Sequence, residues 1–374
     1  MSRYRIALLS LWLTLILCRA ASGGFTSQFR DSLDNRFDAS LWLSQRYGFI
    51  PVVSIITEPA VGPGASLGLM FLHRSQEDLG QPMESPPGVS GLMGAYTTND
   101  TWAVGGGHAG YWRDDRIRYR GGLGYASANL KYYPDILFES IDFNLEGAGT
   151  MQEISFRVKD YDLFLGARYV FAKTRAAIEI PLENIDIAPW EIDTRIGGLG
   201  ALATYDSRDN TFTPNRGIWA GVTYIYYDEL FGGDRTYQRL NAFALGFHPV
   251  TDNLYSALRL DGRFSFDRAP FYTLPYIDLR GVPAMRYQGR YAVLAETEWR
   301  WDFTGRWSLD FFGGAGRTAP RRGDFSDGET AWNAGAGFRY LLARLFGLRA
   351  GCDVARGPEE WAFYIVVGSR WGAN

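Results

Sequence analysis

The chain of 374 residues carries 38 basic and 41 acidic side chains for a formal charge of −3, and 46% of it is hydrophobic. Near-neutral charge without a basic block excludes nucleic acid as a partner. Beyond the amino terminus no apolar run reaches the roughly 20 residues that a membrane helix needs, which excludes a helical membrane protein.

The first predicted element is a secretory leader over residues 1–21. Arg3 and Arg5 precede the apolar run Ile6 to Leu17, and the small residues Ala20, Ala21 and Ser22 follow. Leu17 is too bulky before Cys18 for a lipoprotein signal, so simple cleavage near Ala20 to Ser22 is expected. Only Cys352 then remains, which leaves no intramolecular disulfide. Over residues 22–47, Phe29, Leu33, Phe37, Leu41 and Leu43 recur at helical intervals among Arg30, Asp31, Asp34, Arg36 and Asp38. That spacing predicts a short amphipathic helix on the periplasmic side.

From Gly48 onward the period changes to two. Trp361, Phe363, Ile365 and Val367 stand against Tyr364 and Arg370, and Leu258, Leu260, Phe264 and Phe266 alternate with Arg259, Asp261 and Arg263. Successive side chains of a strand point to opposite faces, so one face suits lipid and the other water. For an exported chain without a helical span, a closed barrel is the remaining structure that satisfies backbone groups in lipid. The expected fold class is all-β, a transmembrane antiparallel β-barrel over residues 48–374. About sixteen strands fit: 48–57, 61–73, 88–98, 101–113, 116–129, 149–159, 163–173, 194–206, 216–228, 235–249, 252–266, 289–303, 306–317, 330–343, 346–356 and 360–371. With the amino terminus in the periplasm, the long connections 130–148, 174–193, 267–288 and 318–329 follow odd strands and lie outside the cell, whereas 75–87 breaks that habit.

Proline has no amide donor and is tolerated mainly at a sheet edge, so Pro51 predicts that the first strand pairs incompletely with the last, near Gly368. Inward positions carry Arg118, Arg120, Arg157, Arg168, Arg259, Arg263, Arg300, Arg339 and Arg349, with Glu153, Asp261, Glu296, Glu298, Asp310 and Asp353. They describe a wall of paired charges, with selective anion conduction as the alternative. Tyr132, Tyr133, Tyr226, Tyr227, Trp301, Trp332 and Trp371 suit interfacial girdles.

Catalytic motifs do not survive their context. Gly64 to Gly68 spells G-x-S-x-G around Ser66, but a nucleophile elbow turns from strand to helix and this stretch continues as a strand. His73, His108 and His248 lack metal-ligand spacing and are assigned to rim or lumen. Neither Gly105 to Gly107 nor Gly121 to Gly124 opens a helix, as a phosphate loop must. No catalysis, metal or cofactor is expected.

Two patterns exceed a generic barrel. Asp206, Arg208, Asp209, Pro214 and Gly217 form a turn between the eighth and ninth strands, where Asp bonds its own backbone and proline and glycine fix the dihedrals. Leu279, Arg280 and Gly281 lie in the long connection after the eleventh strand. Both resemble the BamA and TamA superfamily of outer-membrane assembly factors, also called bacterial surface antigen barrels. The resemblance implies that the loop folds into the lumen with Arg280 as its anchor. Glu298 is the implied partner in a bidentate pair. Asp310 is the second candidate, because Phe312 to Gly316 put glycine where the family carries a carboxylate. Val282 stands where the family has an aromatic, and Trp371 has three residues beyond it.

Residues 22–47 are too few for a domain able to bury a core, so a POTRA-less member is expected, similar to those with Ile-Thr-Glu-Pro-Ala-Val-Gly, here Ile56 to Gly62. The implied function is non-enzymatic insertion or translocation of protein or lipid in the outer membrane. A passive porin-like channel is the alternative, and a barrel lipase would need a serine, a histidine and an orienting polar group at one rim. Outer-membrane lipid and client or accessory outer-membrane proteins are the implied partners, with self-association left open.

Overall fold

The computed structural model describes residues 29–44, 48–73, 88–133, 140–178, 190–320 and 324–371. The leader and the 75–87 loop lie outside the described residues. Two-residue alternation produces β1 (Gly48–Ile56), β2 (Gly64–His73), β3 (Gly88–Thr97), β4 (Trp102–Trp112), β5 (Ile117–Tyr132), β6 (Ile141–Arg157), β7 (Leu163–Ile178) and β8 (Trp190–Asp206). The second half holds β9 (Gly217–Tyr227), β10 (Tyr237–Pro249), β11 (Leu254–Asp267), β12 (Tyr291–Trp301), β13 (Trp307–Ala319), β14 (Thr330–Ala343), β15 (Leu348–Arg356) and β16 (Trp361–Val367). Each pairs antiparallel with the next in one 16-stranded, nearly closed sheet.

Register separates the faces. Leu92, Leu123, Leu258, Phe311, Phe338 and Phe363 are exposed on the outside. The expected inward charges share the lumen face through pairs such as Arg120↔Glu153, Glu153↔Arg168, Arg259↔Glu296 and Asp353↔Tyr364. Apolar side chains exposed around a sheet that bonds its own backbone form the lipid contact of a transmembrane barrel. Cys352 pairs with outward Phe338 and Ile365 and shares that face.

The far rim carries the connection 268–290; the near rim carries residues 29–44. β6 begins at Ile141, eight residues before the expected 149, and most of the expected loop 130–148 is strand. The cause is an inverted pattern: Asp142, Asn144 and Glu146 face outward while Phe143 faces in and packs 5.2 Å from the Phe271 ring of the connection. These strands project past the lipid-facing belt, where the outside is wet and the inside is covered.

Residues 22–28 and 45–47 lie outside the described residues; within 29–44 the predicted helix is confined to α1 (Ser40–Ser44). Preceding residues turn instead, closed by a bridge between Arg30 and Phe37. Short aspartates compete for backbone donors: Leu33 N–H donates to Asp31 (2.8 Å), Arg36 N–H to Asp34 (3.0 Å) and Ser40 N–H to Asp38 (2.6 Å). The outer oxygens of these aspartates bind the near-rim turns. Arg306, between β12 and β13, donates to Asp34 and Asp38 at 2.6 Å each and to Asp31. Arg344, between β14 and β15, donates to Asp31 (2.6 Å) and Asp34 (2.7 Å).

Three predicted girdle residues belong to the interior. Tyr132 shares the lumen face of β5 and packs 4.8 Å from the Phe271 ring. Tyr227 is buried and stacks on Tyr237 at 4.2 Å. Trp371 follows a turn at Gly368 (φ +77°) into the lumen, where it packs with Trp219 and Leu245.

Candidate functional site

The connection 268–290 is held in the lumen by apolar packing first. Ile277, Leu279, Val282 and Tyr287 pack with Leu294 of β12 and Ala331 of β14. Gly281 adopts φ +80°, its N–H donates to the Tyr364 hydroxyl (2.9 Å), and a Cβ there would meet the Gly357 backbone nitrogen at 2.9 Å. Only glycine fits both the dihedral and the approach.

That packing delivers Arg280, 3% exposed, to a cluster of acids. Its Nε donates to Glu296 (3.0 Å), and its Nη1 donates to Glu298 (2.7 Å) and Asp353 (3.1 Å). The guanidinium lies 3.4 Å from the centre of the Phe312 ring, a cation–π contact that accommodates Nη2, which has no hydrogen-bond partner. The expected bidentate pair with Glu298 is replaced by single bonds to three carboxylates. Asp310, the second expected partner, instead meets Arg339 at 3.1 Å, and Arg339 also meets Asp353 at 2.6 Å. Glu296 further accepts from Asn333 (2.8 Å) and from the Trp371 indole (2.7 Å). Parity places Glu296 and Asp353 inward, but their meeting Arg280 depends on the loop's path, which no local pattern carries.

The same loop ties both edges of the sheet at the far rim. Ala284 N–H donates to Glu58 between β1 and β2 (3.3 Å), and burial pushes that carboxyl above its ordinary range. Arg286 and the Tyr287 hydroxyl reach Glu359 between β15 and β16, at 2.6 and 3.0 Å. Among the described residues no ladder joins β1 to β16. Pro51 sits within β1 opposite Leu69, and among the described residues β1 ladders with β2 alone. At the other edge Gly368 N–H donates to Arg349 O (2.7 Å) and Ser369 N–H to Phe212 O (2.5 Å), so the chain leaves the seam for the lumen.

The turn after β8 receives it. Asp206 takes both Arg208 donors (2.8 and 2.9 Å), and Arg208 covers the Trp219 ring at 4.1 Å. Asp209 accepts from the Asn215 and Arg216 amides at 3.0 and 3.2 Å. Thr213 and Pro214 line a small crevice with Gly368 and Ser369, and Gly217 sits at φ +106°.

One unforeseen polar group lies outside. His73 Nε2 and His108 Nδ1 flank Ser90 Oγ at 2.7 and 2.9 Å on the lipid face, which places these two histidines on the outer wall rather than in the lumen. A hydrolase also needs an oriented base and free oxyanion donors. Ser90 is laddered on both sides, and no carboxylate bonds either histidine among the described residues. Ser66 lies mid-strand opposite Ser54. No group of three or more His, Cys, Asp or Glu side chains among the described residues is arranged to hold a metal.

No protein-family model and no curated protein matches the sequence. Solved structures match the fold. BamA from Haemophilus ducreyi lacking POTRA domains 1–3 aligns with 86% of this chain and 70% of its own, at 14% identity and a TM-score of 0.59. CdiB from Escherichia coli aligns at 11% identity and TM-score 0.60 over 85% of this chain and 62% of its own; CdiB from Acinetobacter baumannii aligns at 9% and 0.60 over 85% and 59%. The chain thus spans less than two thirds of either CdiB, and its barrel is of the BamA and CdiB type.

Proposed function

We propose that this chain is a bacterial outer-membrane barrel acting without chemistry in membrane biogenesis, passing protein or lipid between lumen and bilayer at the seam between β1 and β16. The seam carries this reading: its two edge strands share no ladder, yet one lumen loop holds both of them. Opening it breaks a few side-chain contacts of that loop instead of a row of backbone bonds, each worth about 1 kcal/mol net. Likeness to BamA and CdiB supports the same reading, with residues 29–44 on the periplasmic side and clients or accessory subunits as partners. Depletion of the protein tests it. Loss of outer-membrane proteins or of lipid asymmetry is expected, and a purified barrel in planar bilayers should show no stable open conductance. An unaltered envelope together with a steady pore would favour the passive channel and overturn the proposal.

A further inference from the structure

The lumen wall is not uniformly polar. Register turns Val52, Met70, Val89, Met93 and Met151 inward, with glycines such as Gly91 and Gly122 between them, and no charged residue occupies an inward position of β1 to β4. Met93 is 56% and Val52 39% exposed although both face inward, the reverse of the charged interior that a water-filled barrel presents. This wall lines an open cavity of about 740 Å³, within the roughly 300–1,000 Å³ of small-molecule sites.

A cationic edge bounds it toward the near rim. Arg120 is the next inward residue after Gly122 on β5, and Glu153 the next after Met151 on β6. Glu153 binds Arg120 (2.8 Å) and Arg168 together, so two guanidiniums share one carboxylate, and the Arg120 side chain keeps 43% of its surface open. The apolar wall begins at β1, the edge of the seam, so the bilayer is the adjacent source of an apolar ligand.

We propose that the lumen of β1 to β6 binds one anionic phospholipid, its acyl chains on the Val52, Met70, Met93 and Met151 wall and its phosphate on Arg120 and Arg168. Apolar lining matched to chains and surplus positive charge matched to phosphate select this class. The site rests on register and charge and does not require that the seam serve biogenesis.

Native mass spectrometry of the purified full chain tests it, with phosphatidylglycerol, phosphatidylcholine and oleate as probes. Gly91→Leu fills the lumen, and its Cβ meets only Leu69 O at 3.6 Å, an ordinary contact. Arg120→Gln removes a phosphate donor without touching the lipid-facing belt. One retained phosphatidylglycerol is expected in the wild type, weakened about tenfold or more by either substitution, as loss of a charge-assisted bond implies. Phosphatidylcholine and oleate should be retained less. Heat-modified gel mobility confirms that each variant is folded, with Gly91→Ala as the milder substitute. Retention unchanged by both substitutions marks annular lipid only and overturns the proposal; so does retention of phosphatidylcholine as strong as phosphatidylglycerol, or a preference for oleate.

Discussion

Arg280→Ala is expected to release the 268–290 connection from the lumen and to destabilise the barrel by on the order of 3 to 5 kcal/mol, the range for removing one partner of a buried ion cluster. The residue is buried, and its removal leaves Glu296 and Asp353, which are 1% and 0% exposed at the side chain, with less compensation. Glu298→Ala should cost much less. Glu298 is 19% exposed at the side chain, and Arg280 retains its bonds to the other two acids. The double variant should resemble Arg280→Ala alone, because both substitutions remove one interaction. Limited proteolysis within 268–290 and thermal unfolding measure both effects. A protected loop and an unchanged unfolding temperature in Arg280→Ala would remove the loop's anchor.

Arg306→Ala should free residues 29–44 while leaving the sheet intact. Arg306 is 1% exposed and supplies donors to three aspartates. The expected cost is about 3 kcal/mol, the low end for a buried cluster, because Asp34 remains open to water. Arg344→Ala should cost less, since that side chain is 37% exposed. Acid should act on the same contact. Hydrogen bonds from Arg306 hold Asp34 well below the usual carboxylate range; at Asp38 burial pushes the carboxyl up, and the bonds from Ser40 and Arg306 outweigh it. Carboxylates lowered by folding stabilise above their unfolded value near 4 and lose that contribution as pH falls toward the folded value. Docking should therefore persist from pH 5 to 8 and weaken only below about pH 4. Protease access to residues 29–44 reports it, and release at neutral pH would contradict the cluster's role.

Strand positions were readable in the sequence, and from β5 onward the lumen faces were too, because a period of two survives where one side meets lipid and the other carries charge; β1 to β4 are largely apolar on both faces. The start of β6 was not, since beyond the belt Phe143 turns inward and Asp142 outward. Among the described residues the helix expected within 22–47 is confined to Ser40–Ser44, because a 3.6-residue period records where apolar side chains fall and does not record that Asp31, Asp34 and Asp38 cap their own backbone. Glu298 could be nominated for Arg280 because the family resemblance implied it and its parity on β12 is inward, a parity that Glu296 shares. Asp353 could not, because it lies three strands away and meets the arginine only across the folded loop. Trp371 follows the last strand, where parity says nothing about a chain that turns inward at Gly368.

The most direct measurement is of cells whose only copy carries one cysteine in β1 and one in β16, in a Cys352→Ser background, so that an oxidant closes the seam covalently. Growth and the assembly of outer-membrane proteins and lipid should fail when the disulfide forms and recover on reduction. Normal growth and an unaltered outer membrane with the seam fully cross-linked would contradict transit through it.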